Sequence, residues 1–168
     1  MLKHTKGNLL DLAEQGEFDV IVHGCNCLNT MGSGIAKEIR ERYPEAYEAD
    51  TAYTLDLQDS GNSQVQKLGN ISAHVTDTFA IINAYTQVNF APRDVDHFEY
   101  ASFEVILKKM VAEYGPFKIG FPYIGMGLAG GDKDRIIAML EDFAEKISAQ
   151  GGSVTLVEFG WHSTKDSL

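Results

Sequence analysis

The residues best suited to chemistry lie together in the segment 23–34, which reads HGCNCLNTMGSG. Histidine, cysteine and asparagine side chains fill its first part, and a Gly-Ser-Gly triplet ends it. Such a segment could hold a metal ion, carry redox-active thiols, bind a phosphate group, or simply turn the chain between a strand and a helix. The predicted elements around these residues distinguish the possibilities.

The cysteines offer little support for a metal or redox site. Cys25 and Cys27 are the whole cysteine content of the chain, and one residue separates them at a predicted strand end, which disfavours a disulfide between them. His23 would share their face of the strand, but a zinc site needs a further ligand that the neighbouring sequence does not offer. Neither a C-x-x-C pair nor the Cys-x5-Arg loop of cysteine phosphatases is present. We therefore expect small packing thiols, no metal and no cofactor.

Two glycine-rich segments each follow a predicted strand and precede a predicted helix. The first contains Gly32, Ser33 and Gly34, and the second is GMGLAGGD at 125–132. Neither matches the dinucleotide-binding G-x-G-x-x-G pattern with its acidic residue, nor the P-loop with its Lys-Ser/Thr pair. Backbone N–H groups in such loops and at helix N-termini bind phosphate without basic side chains. The two segments together predict a cleft that holds a diphosphate from both sides.

Hydrophobic patterning predicts the elements that position these loops. Short apolar runs predict strands at 18–24, 65–76, 77–87, 116–125 and 153–159, and amphipathic patterns predict helices at 33–43, 96–115 and 132–152. This alternation indicates an α/β fold, a three-layer α-β-α sandwich with a mixed, mostly parallel sheet, formed by a single domain over 1–168. Both loops then lie at the carboxyl ends of strands, where such folds bind ligands.

The composition restricts the partners. The chain has 168 residues and a net charge of −10. It has no apolar run long enough to span a bilayer, and its first residues, MLKHTKGNLL, lack the apolar core of a signal peptide. A strongly acidic protein is a poor general binder of nucleic acid or anionic membranes. We therefore expect a cytoplasmic monomer with a small phosphorylated ligand, without general nucleic-acid binding and without membrane attachment.

The motifs together resemble those of the macrodomains, a family that binds ADP-ribose. KGNLL at 6–10 is similar to the family's early Gly-Asp-Ile/Leu segment, HGCN at 23–26 to its Asn-Ala-Ala-Asn, and MGSGIA at 31–36 to its first phosphate loop. INAYTQ at 82–87 and YIGMGLAGGD at 123–132 complete the pattern over nearly the whole chain. These variants look most like the branch that contains ADP-ribose-1″-phosphate phosphatases. The resemblance implies the macrodomain fold, with ADP-ribose or a 1″-substituted derivative as ligand.

The resemblance also implies roles for single residues. Asn26 would contact the terminal ribose, while Asn8 and Leu9 would lie at the adenine. Asn8 stands where the family usually has Asp, so its contact with the adenine amino group loses a charge. Trp161 and Phe159 could stack on the adenine or simply pack. The diphosphate would be bound by backbone N–H groups of Gly32, Ser33, Gly34 and Ile35 on one side and of Gly125, Met126, Gly127 and Leu128 on the other.

His23 and Asp132 match positions to which the phosphatase branch's chemistry is attributed. Hydrolysis of a phosphate ester requires in-line attack at phosphorus and a proton for the leaving oxygen. His23 could be the nucleophile or stabilise the phosphoryl group, and Asp132 could activate water or protonate the leaving oxygen. Each has a structural alternative, His23 as a hydrogen-bonded half-buried residue and Asp132 as the N-cap of the following helix.

Three functions share this cleft. A metal-independent phosphatase acting on ADP-ribose-1″-phosphate ranks first, because His23 and Asp132 are both present. A hydrolase that removes ADP-ribose from proteins or nucleic acid, or deacylates O-acetyl-ADP-ribose, is the second. A non-catalytic ADP-ribose reader is the third.

Overall fold

The computed structural model describes residues 1–90, 96–127 and 129–159. Within them, strands and helices alternate along much of the chain, as predicted. The strands are β1 (Leu2–Gly7), β2 (Val20–Asn26), β3 (Ile71–Val75), β4 (Ala80–Gln87), β5 (Lys118–Phe121) and β6 (Ser153–Phe159). The helices are α1 (Leu9–Glu14), α2 (Gly34–Arg42), α3 (Pro44–Asp59), α4 (Tyr100–Tyr114) and α5 (Lys133–Ser148).

The strands form one sheet in the order β1-β6-β5-β2-β4-β3. Every neighbouring pair is parallel except β3 and β4, which are antiparallel. Helices α4 and α5 pack on one face of the sheet, and α1, α2 and α3 contribute to the clusters on the other. The prediction of a three-layer α/β sandwich with a mixed, mostly parallel sheet is therefore confirmed.

The sequence patterns did not predict three elements, namely β1, α1 and α3. The buried face of α3 consists of Ala46, Asp50 and Thr54, spaced four residues apart. Because two of these three side chains are polar, the apolar periodicity that marks a helix in the sequence is absent. The predicted strand at 65–76 begins only at Ile71, since a 3₁₀ turn occupies Gln64–Lys67.

The central strand β2 lies between β5 and β4. The chain leaves β2 toward α2 on one face of the sheet and leaves β5 toward α5 on the other. Where two neighbouring parallel strands send their connections to opposite faces, a crevice opens at their carboxyl ends. Both glycine-rich loops flank that crevice.

The hairpin between β3 and β4 lies at the opposite end of the sheet. Thr76 closes it, with its backbone N–H donating to the Phe79 carbonyl oxygen at 2.8 Å. Its tip, Asp77 and Thr78, is exposed. Among the described residues, no helix combines the length and apolar character needed to cross a bilayer.

Candidate functional site

A cleft with a cavity volume of about 420 Å³ opens at the carboxyl ends of β2, β4 and β5. This volume lies within the range of small-molecule sites. Two loops form its walls, loop 1 (27–33, between β2 and α2) and loop 2 (122–132, between β5 and α5). The cleft is lined by Gly24, Asn26, Thr30, Gly32, Ser33, Gly34, Ile35, Ala36, Gln87, Phe90, Pro122, Tyr123, Ile124, Gly125, Gly127 and Ala129.

The N-terminus of α2 faces the cleft. Ser33 is the N-cap residue, but its side chain makes no capping hydrogen bond. The first N–H groups of a helix have no partner within the helix, and here Gly34, Ile35 and Ala36 line the cleft. Gly34 has φ = 59°, a left-handed conformation that glycine adopts without strain. This end of α2 thus presents backbone N–H donors to the cleft, the groups with which helix N-termini bind anions.

Asn26 ends β2 and organises loop 1. Its Oδ1 accepts hydrogen bonds from the backbone N–H groups of Leu28 at 2.9 Å and Thr30 at 3.3 Å. Its Nδ2 donates to the Thr30 carbonyl oxygen at 3.1 Å. The side chain is 8% exposed and lines the cleft, so the remaining Nδ2 hydrogen is the polar group it can offer a ligand.

Loop 2 is held by its own backbone. The N–H of Ile124 donates to the Pro122 carbonyl oxygen at 2.7 Å, and that of Gly131 donates to the Gly125 carbonyl oxygen at 2.7 Å. Gly125 has φ = 73°, and a Cβ at this position would lie 2.4 Å from the Phe98 ring. Only glycine fits there, because both the backbone conformation and the close packing exclude a side chain.

His23 is not part of the cleft wall. Its side chain is fully buried, and its Nε2 lies 2.6 Å from Asn83 Oδ1. The Asn83 amide nitrogen donates to the Ala46 carbonyl oxygen and to Ser72 Oγ, so Nε2 is the donor to Oδ1. Burial lowers the pKa of His23, and the Asn83 hydrogen bond and the Asp50 charge partly offset this. Two roles were considered for His23, a catalytic one and that of a hydrogen-bonded structural residue. The geometry fits the structural role, because the face of β2 that carries His23 packs inward.

Asp132 lies at the end of loop 2 as the N-cap of α5. Its Oδ1 accepts from the Arg135 backbone N–H at 3.2 Å, and its own N–H donates to Tyr100 Oη at 2.9 Å. The residue is exposed and does not line the cleft, although Gly125 and Gly127 of the same loop do. The capping role is therefore present, and the carboxylate is exposed to solvent.

The proposed adenine residues also lie outside the cleft wall. Asn8 is the N-cap of α1, accepting from the Asp11 N–H at 3.0 Å, and its Nδ2 donates to both Glu38 carboxylate oxygens. Leu9 is buried in the core beneath α1. Met126, which the resemblance assigns to the diphosphate, is also absent from the cleft wall and packs against the core on the α4 and α5 face. Leu128 and Trp161 lie outside the described residues.

The structure brings most of the predicted phosphate-binding residues together, namely Asn26, Gly32, Ser33, Gly34, Ile35, Gly125 and Gly127. The cleft also contains side chains for which the sequence analysis predicted no role. Gln87 at the end of β4 lines the cleft, and its Nε2 donates to the Asn89 carbonyl oxygen at 2.7 Å. Phe90 and Tyr123 supply aromatic surface. The strand-end motif INAYTQ was the available signal for Gln87, but nothing in the sequence pattern marked Phe90.

The thiols lie behind the cleft. Cys25 and Cys27 are both free and buried, and Cys25 Sγ lies 3.5 Å from His23 Nε2. Burial raises the pKa of each thiol, which keeps both protonated and unreactive at neutral pH. In the described part of the chain, no group of three or more His, Cys, Asp or Glu side chains could hold a metal ion.

Comparison with known proteins identifies the family. The family model for the macro domain matches residues 22–140. The chain belongs to the macrodomain family. A 17.5 kDa protein from the tk-vs intergenic region of Enterobacteria phage T4 is 32% identical over 156 residues, which cover 88% of this chain and 92% of the phage protein.

Two further relatives carry functional information in their own names. An ADP-ribose 1″-phosphate phosphatase of Aspergillus oryzae is 37% identical over 46 residues, covering 27% of this macrodomain and 21% of the phosphatase. A Trypanosoma brucei macrodomain solved in complex with ADP-ribose matches with a TM-score of 0.63 and 13% identity, covering 99% of this chain and 66% of that one. The second likeness concerns the fold alone.

Proposed function

We propose that this macrodomain binds ADP-ribose in the cleft and hydrolyses ADP-ribose-1″-phosphate to ADP-ribose and phosphate. The observation that carries the proposal is the pair of facing glycine-rich loops. Loop 1 leads into the uncapped N-terminus of α2, and loop 2 presents glycines from the other side. A diphosphate fits between two such sets of backbone donors.

The charge of the protein makes the backbone donors important. Among the described residues that line the cleft, none carries a lysine, arginine or histidine side chain. With a net charge of −10, the protein offers no general attraction for an anion. The diphosphate is therefore recognised by N–H groups and by the dipole of α2, both of which act at short range and select by geometry.

The orientation of the ligand follows from the ends of the cleft. Asn26 ends β2 and lines the cleft together with Gly24. Its free Nδ2 hydrogen donates to a hydroxyl of the terminal ribose. Asn8, whose Nδ2 donates to Glu38 of α2, is the residue that would contact the adenine. Asn8 Oδ1 already accepts from Asp11, so any adenine contact shares that oxygen and is weak.

The chemistry rests on Asp132. Hydrolysis transfers the phosphoryl group from the 1″ oxygen to water, and the leaving oxygen gains a proton. Asp132 has one oxygen engaged as the helix cap, and its carboxylate either accepts the proton of the attacking water or supplies the proton of the leaving oxygen. His23 is fully buried and lies too deep for proton transfer to a ligand. Its Nε2 donates to Asn83 Oδ1, which links β2 and β4 below the cleft.

The comparisons support this proposal in two ways. A short segment of the chain is similar to a fungal protein named ADP-ribose 1″-phosphate phosphatase, which supports the choice of substrate and reaction. The macrodomain solved with ADP-ribose shares the fold over 99% of this chain. The sequence variants His-x-Cys-Asn and Gly-Leu-Ala-Gly-Gly-Asp resemble the same phosphatase branch.

A non-catalytic ADP-ribose-binding module is the second candidate. A specific observation favours it: the described lining residues include no carboxylate and no imidazole. In that case Asp132 serves only as the α5 cap. The two candidates share the ligand and differ in turnover.

The test combines phosphate release from ADP-ribose-1″-phosphate, measured with EDTA present, and calorimetric titration with ADP-ribose. The informative variant is Asp132→Asn, which retains the cap acceptor and loses the carboxylate. We expect release by the wild type, loss of release in Asp132→Asn, and ADP-ribose affinity within about two-fold of the wild type, because a capping-competent side chain leaves loop 2 in place.

Other outcomes would change the assignment. Binding without release would favour the module or an ADP-ribosyl hydrolase, which ADP-ribosylated protein substrates would then distinguish. Equal release by Asp132→Asn and the wild type would remove Asp132 from the chemistry. Absence of ADP-ribose binding would overturn the proposal as a whole.

A further inference from the structure

A network of polar side chains lies under loop 1, on the face of the sheet covered by α3. It comprises the buried Lys67, Asp50, Thr54 and Tyr85 and the half-buried Asn29, and is called the Lys67 network below. Lys67 is 0% exposed and Asp50 is 1% exposed. Lys67 Nζ donates to Asp50 Oδ1 at 2.8 Å and to Thr54 Oγ1 at 2.8 Å, and Tyr85 Oη donates to the same Asp50 oxygen at 2.7 Å.

The third bond of Lys67 leads to the cleft. Its Nζ donates to Asn29 Oδ1 at 2.6 Å, and Thr54 Oγ1 donates to the same oxygen at 2.7 Å. Asn29 has φ = 60° and is the one non-glycine residue with positive φ in the described part of the chain. Asparagine adopts the left-handed conformation more readily than most other non-glycine residues, and these two bonds to its side chain hold Asn29 in it.

Asn29 lies inside the turn that Asn26 organises. The Asn26 side chain is bonded to the backbone of Leu28 and Thr30, the two neighbours of Asn29. Asn26 and Thr30 both line the cleft, while Asn29 points away from it into the buried network. The turn is therefore held from the cleft side by Asn26 and from the protein interior by Lys67.

Stability alone does not account for this arrangement. A buried ion pair contributes little net stability, because desolvation of both charges offsets their attraction, and apolar side chains of similar volume often serve equally well. What an apolar residue cannot supply is the ammonium donor to Asn29. We propose that Lys67 is a positioning residue of the cleft, which fixes Asn29 and thereby the turn that carries Asn26 and Thr30.

The inference rests on the proposed function for its ligand but has a readout that needs no ligand. Lys67→Met alone leaves Asp50 as an unpaired buried charge and lowers stability for that reason. The double variant Lys67→Met with Asp50→Asn removes both charges, retains an acceptor for Tyr85 Oη, and regains most of the stability. In both variants Asn29 lacks its ammonium donor.

Two measurements are made on each variant: hydrogen exchange of the Leu28 and Thr30 amides in the free protein, and the Kd for ADP-ribose by calorimetry. We expect the double variant to unfold near the wild-type urea midpoint. Its two amides should still exchange about ten-fold faster and ADP-ribose should bind about ten-fold more weakly, consistent with one lost charged hydrogen bond. Asn29→Gly tolerates the positive φ but loses both bonds, so its effects should be larger.

Ile147→Val is the control for a general loss of stability. Ile147 is fully buried near the carboxyl end of α5, where its carbonyl oxygen accepts from Gly152 just before β6, at the end of the sheet away from the cleft. The Ile147→Val variant should have a lower urea midpoint, with unchanged exchange of the Leu28 and Thr30 amides and an unchanged Kd for ADP-ribose.

The positioning role is overturned if the double variant has wild-type amide exchange, or if Ile147→Val changes exchange and Kd as much as the double variant does. Failure of the wild type to bind ADP-ribose would instead overturn the proposed function. The amide exchange comparison would still decide the role of Lys67.

Discussion

Loop 1 and loop 2 face each other across the cleft, yet different interactions hold them. Loop 1 is tied by side chains, with Asn26 on the cleft side and the Lys67 network beneath it. Loop 2 is tied by its own backbone bonds and by the packing of Gly125 against Phe98, with one side-chain bond, from the Asp132 N–H to Tyr100 Oη, at its end. In a loop held by several side-chain bonds, each substitution should remove part of the stability. In a loop held by backbone conformation, a substitution should have either little effect or a large one.

The largest expected effect is therefore in loop 2. Gly125→Ala places a Cβ 2.4 Å from the Phe98 ring and forces alanine to φ = 73°. We expect a loss of about 3 kcal/mol in the free energy of unfolding, from overpacking and backbone strain together. Urea denaturation measures the loss, and calorimetry should show ADP-ribose binding lost with it.

Gly127→Ala is the matched control within the same loop. A Cβ at this position meets no atom within 4 Å. We expect its free energy of unfolding to stay within about 0.5 kcal/mol of the wild type. Equal losses from both substitutions would show that loop 2 is sensitive to any side chain and that Phe98 packing is not the cause.

A smaller, graded effect is expected in loop 1. Asn26→Ala removes three hydrogen bonds to Leu28 and Thr30 and should cost about 2 kcal/mol in the free energy of unfolding, with weaker ADP-ribose binding and slower turnover. Gln150→Ala is the control, since Gln150 Nε2 donates to the Val111 carbonyl oxygen at 3.2 Å, far from loop 1. If Gln150→Ala weakened ADP-ribose binding as much as Asn26→Ala, the specific role of Asn26 would be refuted.

The smallest expected effect is a pH dependence of the free energy of unfolding, which arises from His23 on β2, the strand that precedes loop 1. Burial lowers the pKa of His23, so below about pH 6.5 the unfolded chain binds a proton there that the folded protein does not. The free energy of unfolding should therefore fall as the pH decreases from 6.5 toward 5.5, by at most about 1.4 kcal/mol per pH unit from this residue.

Urea denaturation at pH 7.5, 6.5 and 5.5 measures that slope, and His23→Gln should reduce it. His74→Gln, on the edge strand β3 and not buried, is the comparison variant. An unchanged slope in His23→Gln would show that His23 is not the titrating group.

The sequence predicted the fold, and it predicted most of the residues that line the cleft, because both depend on local patterns. Glycines after a strand and before a helix predict a loop of the kind that can bind phosphate, and the sheet then brings two such loops together. Gly34 and Gly125 were found in this way, and both line the cleft.

The sequence could not decide a role that depends on which face of an element is buried. His23 has a chemical type suited to catalysis, but its side chain is fully buried on β2. Asp132 is the N-cap of α5, as the sequence allowed, and its catalytic role stays a prediction. Helix α3 was missed for a related reason, since its buried face carries Asp50, which pairs with Lys67 from a distant segment. A contact between residues far apart in the chain leaves no periodic signal.

The position of the β3–β4 hairpin has a practical consequence. Its exposed tip at Asp77 and Thr78 lies at the end of the sheet opposite the cleft, and the bonds between Thr76 and Phe79 close it independently of the tip side chains. A fluorophore or a surface linker attached at the tip would leave both loops accessible. The protein could thus be immobilised in a single orientation, with its cleft facing the solution, for use as a capture reagent.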